Sequence, residues 1–293
     1  MAEPESLDTI LNAPRATIVP GAYDALSARI AARAGARAIY MTGFGVAGAS
    51  FGVPDIGLVS ASEMIERVGV VAGACGTVPL IADGDNGHGG PLNAAKLARA
   101  YERAGAAAIQ LEDQVLPKRC GHMEDKEVVS RAEAAQKIRA AAEARDSKAF
   151  KIVARTDARA THGLDEALAR GDDFLKAGAD VLFIEAPRSA EEMRRIAETF
   201  KGVPLLINLV EDGKTPLLSV AELEALGYRL VLYPISALLA VTRRLEEAYD
   251  LLLAGSRNSL DGSRSSFAHY NGIMNLPELL AVTKRLAEPN SGE

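Results

Sequence analysis

The sequence predicts a (β/α)8 TIM-type barrel, and three observations support that prediction. One short pattern recurs along the chain: a helix end, a glycine and then a buried strand. The strands are continuous apolar runs, which is typical of parallel strands that are covered on both faces. The chain has 293 residues, and at this length eight strands alternating with helices favour a closed barrel over an open doubly wound sheet.

The recurring pattern gives four of the predicted strands, and four further apolar runs complete the set. The pattern occurs as RAGARAIYM at 33–41, RAGAAAIQLE at 103–112 and KAGADVLFIE at 176–185, with a looser copy, ALGYRLVLYP, at 225–234. The further runs are ATIVPGA from Ala16, VPLIADGD from Val78, KIVARTDA from Lys151 and VPLLINLV from Val203. These eight runs are the predicted strands of the barrel.

Helical segments separate most of these strands. One of them follows Ser60, with Glu63 three residues later, which is the spacing of a capping box. The predicted helices are Asp24–Ala34, Ala61–Ala74, Pro91–Ala104, Arg131–Arg145, Leu164–Ala177, Ala190–Phe200, Ser219–Leu226 and Ser236–Leu253. A segment rich in Ser, Asn and Gly, Gly255 to Gly272, predicts a linker to a last helix at Leu276–Leu286. We therefore expect one domain over 1–293, with a barrel core at 10–253 and a C-terminal extension at 254–293.

Composition and charge exclude several classes of protein. Hydrophobic residues make up 48% and charged residues 25% of the chain, which is ordinary for a globular protein. The formal net charge of −6 gives no general electrostatic reason to bind nucleic acid or an anionic membrane. The acidic start of the chain does not resemble a secretory signal, and two cysteines exclude a disulfide framework. We expect a cytoplasmic protein with reduced thiols, in which Cys75 is buried among small apolar residues.

The residues at the carboxyl ends of the predicted strands, where the active site of a barrel lies, are mostly polar. They are Tyr40, Thr42, Gly43, Asp83, Asp85, Glu112, Arg155, Asp157, Glu185, Asn208 and Pro234. Carboxylates that converge on one rim repel one another unless cations lie among them. Arg155 supplies one positive charge, and Mg2+ or Mn2+ suits oxygen ligands. Asp83 and Asp85, two residues apart on a strand, are predicted to point to one side.

The segment Asp113–Val129, DQVLPKRCGHMEDKEVV, is longer than a usual loop between strand and helix, and such loops tend to be functional. Cys120 lies beside Lys118, Arg119 and His122, and positive neighbours lower the pKa of a thiol. Cys120 is therefore a candidate for proton exchange near neutral pH. The alternative is a surface loop with an incidental cysteine.

Three other features have two interpretations each. Arg155 and Asp157 form either a buried structural pair or a site in which Arg155 clamps a carboxylate substrate. The segment TGFGVAG at 42–48 is either a cradle of backbone amides for a carboxylate or a turn that the glycines permit. Tyr40 belongs either to the core or to the site.

Together, IADGDNGHGG, IQLEDQ, KRCGH, ARTDA, the strand ending at Glu185 and LYPIS resemble the isocitrate lyase/phosphoenolpyruvate mutase superfamily. The resemblance implies a modified barrel whose eighth helix is swapped onto a neighbouring subunit, giving dimers that assemble into homotetramers. The KRCGH motif is similar to that of the lyases, whereas the mutase and phosphonopyruvate hydrolase branches lack this cysteine. Pro234 resembles the residue of the 2-methylisocitrate and 2,3-dimethylmalate lyase branch. The oxaloacetate hydrolases carry a serine at that position.

The resemblance also implies a role for each site residue. The metal-binding residues it implies are Asp85 as the direct Mg2+ ligand and Asp55, Asp83 and Glu112 as outer-sphere partners. The catalytic residues it implies are Cys120, Arg155, Tyr40, His122 and Lys118, with Cys120 as the acid–base on a gating loop. The substrate-binding residues it implies are Thr42, Gly43, Phe44, Gly121, Glu185, Asn208 and Pro234. Phe44 stands where the family often has glycine, which implies a narrower pocket for the substrate carboxylate.

The reaction that the resemblance implies is cleavage of a 2-hydroxy di- or tricarboxylate, of the 2-methylisocitrate or 2,3-dimethylmalate type, to an α-keto acid such as pyruvate and a carboxylate. One alternative is another enzyme on the same scaffold, either an oxaloacetate hydrolase or decarboxylase or a phosphonate-forming phosphomutase. Another is a barrel that binds an organic acid without turnover. The cysteine motif favours the lyase over the binder, because a binder needs no acid on a loop.

Overall fold

The structure, a computed structural model, describes residues 5–118, 126–211, 213, 215–255, 262 and 264–287. The chain divides into two compact units, Met1–Leu239 and Ala240–Glu293. The first unit holds all eight strands, so the barrel and its cavity belong to it.

Eight parallel strands close into a barrel in the order in which they occur along the chain. The strands are β1 (Thr17–Ala22), β2 (Ile39–Met41), β3 (Leu80–Asp83), β4 (Ala108–Glu112), β5 (Lys151–Thr156), β6 (Val181–Ile184), β7 (Leu205–Asn208) and β8 (Leu230–Tyr233). β1 closes the barrel against β8, where Thr17 pairs with Leu230. At this seam Gly21 is required, because a Cβ there would lie 2.0 Å from the Pro234 carbonyl oxygen. The predicted fold class and all eight predicted strands are confirmed.

Thirteen helices are found within the described ranges. They are α1 (Leu7–Asn12), α2 (Ala25–Arg33), α3 (Gly43–Phe51), α4 (Ala61–Cys75), α5 (Pro91–Arg103), α6 (Arg131–Ala144), α7 (Ala158–His162), α8 (Leu164–Ala177), α9 (Ala190–Thr199), α10 (Val220–Leu226), α11 (Ser236–Leu253), α12 (Phe267–Ile273) and α13 (Leu276–Ala287). None of them combines the length and the apolar character that a membrane-spanning helix needs.

The nine predicted helices are found within a residue or two of their expected ends. Serine caps several of them, and the capping box predicted at Ser60 and Glu63 is present. Four helices were not predicted: α1, α3, α7 and α12. The expectation of a linker from Gly255 to Gly272 was therefore wrong in part, since α12 begins at Phe267 after the cap residue Ser266.

The turn interpretation of TGFGVAG was also wrong, because these residues begin helix α3. Thr42 is its N-cap, and the Thr42 hydroxyl accepts a hydrogen bond from the Gly45 amide at 3.3 Å. Glycine has low helix propensity, so the three glycines of this helix concealed it in the sequence. The helix is held instead by its cap and by packing, since Val46 and Ala47 are buried.

The core of the barrel unit has two layers. Side chains that point outward from the strands pack against the helices, as Ile39, Ile109 and Ile152 do. Side chains that point inward fill the barrel, and Leu7, Ile10 and Leu11 of α1 belong to this inner cluster. Because strand side chains alternate between the two layers, every second residue toward the carboxyl end of each strand faces the barrel axis. These positions form the site.

Candidate active site

A cavity of about 230 Å³ lies at the carboxyl ends of the strands. Its lining residues are Tyr40, Thr42, Phe44, Asp55, Asp83, Gln110, Glu112, Lys118, Arg155, Phe183, Asn208, Val210, Leu232, Pro234 and Ile235. Most of the polar residues predicted at the strand ends thus line one cavity, as the barrel topology requires. By their chemistry these side chains form two sets, an acidic and cationic set, called here the acidic half, and an apolar set, called the apolar half.

Asp83 anchors the acidic half from the last position of β3. Its carboxylate accepts hydrogen bonds from the amides of Gly43 and Asp85, each at 3.1 Å, and from Gln110 Nε2 at 3.2 Å. Burial, and next the negative charge of Asp85, raise the pKa of Asp83 to about 6. A cation bound next to Asp83 would stabilise the ionised carboxylate, because it would offset the free-energy cost of burying that negative charge.

Asp85 lies near Asp83, but for a different reason than the sequence predicted. β3 ends at Asp83, and Asp85 lies beyond it with a left-handed φ of 50°. The expectation that both residues share a strand was therefore wrong, since the chain turns back after the strand and places the Asp85 amide on the Asp83 carboxylate. The Nε2 atom of His88, a residue not among the predicted site residues, lies 3.6 Å from Asp85 Oδ2. Burial lowers the pKa of His88, which favours the neutral imidazole.

Lys118 is a second cation at the acidic half. Its Nζ lies 2.5 Å from Asp55 Oδ1 and 2.5 Å from Asp85 Oδ1, and its side chain is 5% exposed. Burial alone would lower the pKa of Lys118, but Asp85 and Asp55 outweigh it and raise that pKa well above its usual range. The ammonium group therefore holds together two of the four carboxylates that the resemblance assigns to a metal.

Glu112 ends β4 at the centre of the site. Its Oε2 lies 3.4 Å from Arg155 Nη1, whereas Oε1 is buried and finds no hydrogen-bond partner among the described residues. Burial raises the pKa of Glu112 well above its ordinary value, against the opposing charge of Arg155. A buried oxygen without a partner indicates a place for a water molecule or an ion.

Arg155 forms the buried pair that was one of the two interpretations of the sequence, and the substrate clamp stays a prediction. Its Nε and Nη2 donate to the Asp157 carboxylate at 2.9 and 3.1 Å, so the buried pair exists. Arg155 also lines the cavity, and Glu185 Oε2 lies 3.5 Å from its Nε. The guanidinium stacks over Phe183 with 5.2 Å to the ring centroid.

The other predicted substrate-binding residues divide between the two halves of the cavity. Asn208 Nδ2 donates to Glu185 Oε2 at 3.4 Å, next to Arg155. Pro234 lies in the apolar half, which further comprises Phe183, Val210, Leu232 and Ile235. Phe44, 37% exposed, lies at the cavity from the first turn of α3.

Sequence reasoning missed several residues that order the site. Gln110 accepts a hydrogen bond from the Tyr40 hydroxyl at 2.6 Å and links it to Asp83. Tyr40 therefore belongs to both core and site. Gln110 stands two residues before Glu112 on β4, so strand alternation carried a signal for it. Lys126 Nζ lies 2.6 Å from Asp157 Oδ1. No sequence pattern predicts this contact, because only the fold brings the two residues together.

The predicted catalytic segment is described only in part. Cys120, Gly121 and His122 lie outside the described residues. The two ends of the loop are described, and Gln114 pairs with Val128 in an antiparallel bridge. Cys75 is buried as expected, and burial raises the pKa of its thiol to about 12.

The predicted metal ligands suit Mg2+ through the chemistry of their donors. Across the parts of the chain that the structure describes, no three His, Cys, Asp or Glu side chains form a ready cage for a metal ion. Mg2+ needs no such cage, because it retains several waters and takes one or two carboxylates directly. The buried carboxylates of Asp83 and Glu112, with raised pKa values and the unpartnered Glu112 Oε1, fit an ion with a water shell.

The fold and the site define a barrel enzyme with a closed sheet and an acid-lined cavity at the carboxyl ends of its strands. A family model described as phosphoenolpyruvate phosphomutase matches residues 7–253. The chain is 43% identical over 279 residues to 2,3-dimethylmalate lyase of Eubacterium barkeri, covering 95% of this chain and 96% of that protein. It is 43% identical over 243 residues to 2-methylisocitrate lyase of Bacillus subtilis strain 168, covering 83% and 79%.

Solved structures agree with these relatives. A 2,3-dimethylmalate lyase structure superposes with a TM-score of 0.91 at 35% identity, covering 98% of this chain and 96% of that one. Oxaloacetate acetylhydrolase with 3,3-difluorooxalacetate gives 0.92 at 33% identity, covering 98% of both chains. Phosphonopyruvate hydrolase with oxalate and Mg2+ gives 0.86 at 30% identity, covering 98% and 100%. The chain belongs to the isocitrate lyase/phosphoenolpyruvate mutase superfamily and is an enzyme of the carbon–carbon lyase class.

Proposed function

We propose that the chain is a Mg2+-dependent lyase that cleaves a 2-hydroxy dicarboxylate of the 2,3-dimethylmalate type to pyruvate and propionate. The composition of the cavity lining supports this substrate class, because it combines carboxylates and cations with the apolar side chains of Phe183, Val210, Leu232 and Pro234. The apolar half suits methyl groups, which gain about 0.8 kcal/mol per buried carbon. A third carboxylate would need another cation, and the cations that line the described cavity, Lys118 and Arg155, already have carboxylate partners.

The proposed metal site uses the carboxylates of the acidic half. Asp85 would bind the ion directly, with Asp55, Asp83 and Glu112 holding its waters. When bound, the ion supplies Lewis-acid stabilisation for the negative charge that develops on the 2-oxygen of the substrate. Similarity to phosphonopyruvate hydrolase, whose structure contains Mg2+, supports this assignment.

Arg155 provides the fixed positive charge next to the reacting carbons in this proposal. The hydroxyl at C2 loses its proton, and its oxygen forms the double bond of the keto group. At the same time the C2–C3 bond breaks, and the electron pair of that bond moves to C3. The guanidinium is always charged, and Asp157 fixes its orientation, so it stabilises the developing oxyanion without rearrangement. The first turn of α3, with Thr42, Gly43 and Phe44, would bind the adjacent carboxylate.

Cys120 is the proposed acid that protonates C3 of the departing fragment. This role rests on the resemblance of the KRCGH motif. A thiol is suited to it, because its pKa of about 8.5 lies near the working pH. The proton lost from the C2 hydroxyl offsets the one that the thiol gives to C3, so the reaction takes up and releases no net proton, and the products are pyruvate and propionate.

The test is pyruvate release, coupled to NADH oxidation by lactate dehydrogenase. Purified protein with Mg2+ is given 2,3-dimethylmalate, 2-methylisocitrate, isocitrate, citramalate and oxaloacetate. We expect turnover of 2,3-dimethylmalate that disappears with EDTA and with Cys120→Ala. Because lactate dehydrogenase also reduces glyoxylate, any signal with isocitrate needs separate identification of its product.

A second candidate is oxaloacetate hydrolysis, which similarity to oxaloacetate acetylhydrolase supports. Activity on oxaloacetate alone, with oxalate and acetate as products, would replace the first proposal. Pro234 favours the lyase, because a proline cannot donate the hydrogen bond that a serine side chain offers to a polar substrate group.

A further inference from the structure

Lys126 is a buried lysine at the downstream end of the β4–α6 loop, and it does not line the cavity. Its side chain is 2% exposed, and its Nζ donates to Asp157 Oδ1 at 2.6 Å. An ammonium group this deeply buried is stable only beside a carboxylate. The structure therefore fixes the end of the loop to Asp157.

Asp157 connects Lys126 to Arg155. The same Oδ1 that accepts from Lys126 also accepts from Arg155 Nη2 at 3.1 Å, and Oδ2 accepts from Arg155 Nε at 2.9 Å. The Asp157 amide donates to Asp113 Oδ1 at 2.9 Å, so the backbone is fixed as well. One carboxylate thus orients the guanidinium on one side and is itself held by the ammonium group on the other.

The charges explain why a second cation is needed. Arg155 faces three buried carboxylates, those of Asp157, Glu112 and Glu185. If Lys126 were replaced by a neutral residue, Arg155 would have to balance the charge of Asp157 without the ammonium group. The guanidinium would then shift toward Asp157 and away from the cavity. With the ammonium group in place, Arg155 Nη1 lies 3.4 Å from Glu112 Oε2, and both residues line the cavity.

We infer that Lys126 is a positioning residue, which acts through Asp157 to hold Arg155 at the reacting oxygens. The inference rests on the proposed function, in which Arg155 stabilises the charge on the substrate 2-oxygen. Since that charge is greatest in the transition state, loss of Lys126 affects kcat more than KM.

The first experiment compares Lys126→Gln with the wild-type enzyme in kcat, KM and affinity for oxalate with Mg2+. We expect kcat to fall about tenfold or more, since misplacement by about 1 Å costs on the order of 100-fold. KM should change less, and calorimetry should show weaker oxalate binding. Lys126→Arg should recover most of the loss, and Lys126→Met is the second neutral variant if the glutamine variant does not fold.

The matched control is Lys151→Gln. Lys151 begins β5, the same strand that carries Arg155, and its Nζ lies 2.6 Å from Asp8 at the other end of the barrel. Its loss should lower thermal stability and leave kcat and oxalate affinity within about twofold of wild type, because sites this far apart behave independently.

A double-mutant cycle tests whether Lys126 acts through Arg155. In an Arg155→Lys background, Lys126→Gln should cost little further oxalate affinity, because the group it positions is gone. An equal loss in both backgrounds, or wild-type kcat and oxalate affinity in Lys126→Gln, would overturn the inference. Oxalate binding separates this inference from the proposed function: an enzyme inactive on every hydroxy acid would refute the function, while the cycle would still test Lys126.

Discussion

Burial of the Glu112 carboxylate has a free-energy cost that a bound ion would lower. The fold places this carboxylate at the end of β4, with Oε2 3.4 Å from Arg155 and Oε1 unpartnered within the described chain. Burial raises its pKa well above the ordinary value of 4.5. At a pH between the pKa of Glu112 in the unfolded chain and its higher pKa in the folded protein, the folded protein holds a proton that the unfolded chain has lost. The contribution of Glu112 to the free energy of unfolding therefore falls as pH rises.

Glu112→Gln should remove that pH dependence, because the amide keeps the shape and never ionises. In EDTA, the melting temperature of the variant relative to wild type should increase as pH rises from about 4.5 toward neutrality. At neutral pH, Mg2+ should raise the melting temperature of the wild type more than that of the variant. Thermal melts across pH, with and without Mg2+, measure both effects.

The control for this prediction is Glu191→Gln, since the Glu191 side chain is 78% exposed. Its melting temperature should track that of the wild type at every pH. If Glu112→Gln also tracks the wild type, the carboxyl group of Glu112 titrates alike in the folded and unfolded states, and the prediction is wrong.

The two thiols should differ in reactivity. Cys75 is 3% exposed, and burial raises the pKa of its thiol to about 12, so it has almost no thiolate near neutral pH. We expect iodoacetamide to inactivate the wild type and an active Cys75→Ala variant at equal rates, through Cys120. Mass spectrometry of the alkylated peptide identifies the site, and alkylation of Cys120 with full activity would remove that residue from the mechanism.

At the scale of elements, helix α3 shapes the acidic half of the site by how closely it approaches β3. The Gly43 amide donates to Asp83, and a Cβ on Gly43 would lie 2.8 Å from Asp83 Oδ2 and 3.4 Å from Asp85 Oδ1. A Cβ contact of 2.8 Å essentially never occurs, so a side chain at position 43 must displace the Asp83 carboxylate. The glycine is therefore part of the proposed metal site although it has no ligand atom.

Gly43→Ala should weaken Mg2+ binding and lower kcat/KM about tenfold or more, which is the effect of disturbing groups that orient metal ligands. Gly48→Ala is the matched control on the same helix, because nothing lies within 4 Å of its added Cβ. That control should keep full activity and gain about 0.5–1 kcal/mol of stability. Equal activity in the two variants would show that the approach of α3 to Asp83 does not matter for function.

The same elements show what the sequence predicts well. The eight strands could be identified because parallel strands are continuous apolar runs, and strand alternation then placed Glu112, Arg155 and Asn208 in one cavity. Helix α3 could not, because its three glycines outweigh the cap in any local pattern. Lys118 and Lys126 could be placed in the loop but not on their carboxylates, because those contacts join residues 63 and 31 positions apart.

At the scale of the whole molecule, two apolar surfaces support the proposed homotetramer. In the barrel unit, Ile18 on the outer face of β1 is 50% exposed and Ile30 on α2 is 47% exposed, where a barrel usually carries a covering helix. Helix α11 has no buried residue, and its Leu245 and Tyr249 are 50% and 61% exposed. Clusters of exposed apolar side chains are typical of interfaces, and we propose that further copies of the chain cover both surfaces.

Light scattering after size-exclusion chromatography should therefore give four times the chain mass of 30.9 kDa. Leu245→Glu should shift the protein to smaller species, because burying an unpaired carboxylate in an apolar interface is unfavourable by several kcal/mol. Leu92→Glu is the matched control: Leu92 is 85% exposed on α5, an element that carries neither surface, and its replacement should leave the mass unchanged. A monomeric wild type, or a Leu245→Glu variant that keeps the full mass, would contradict the proposed assembly. Loss of the tetramer should also lower the melting temperature and weaken its dependence on protein concentration, since association stabilises the folded chain by mass action.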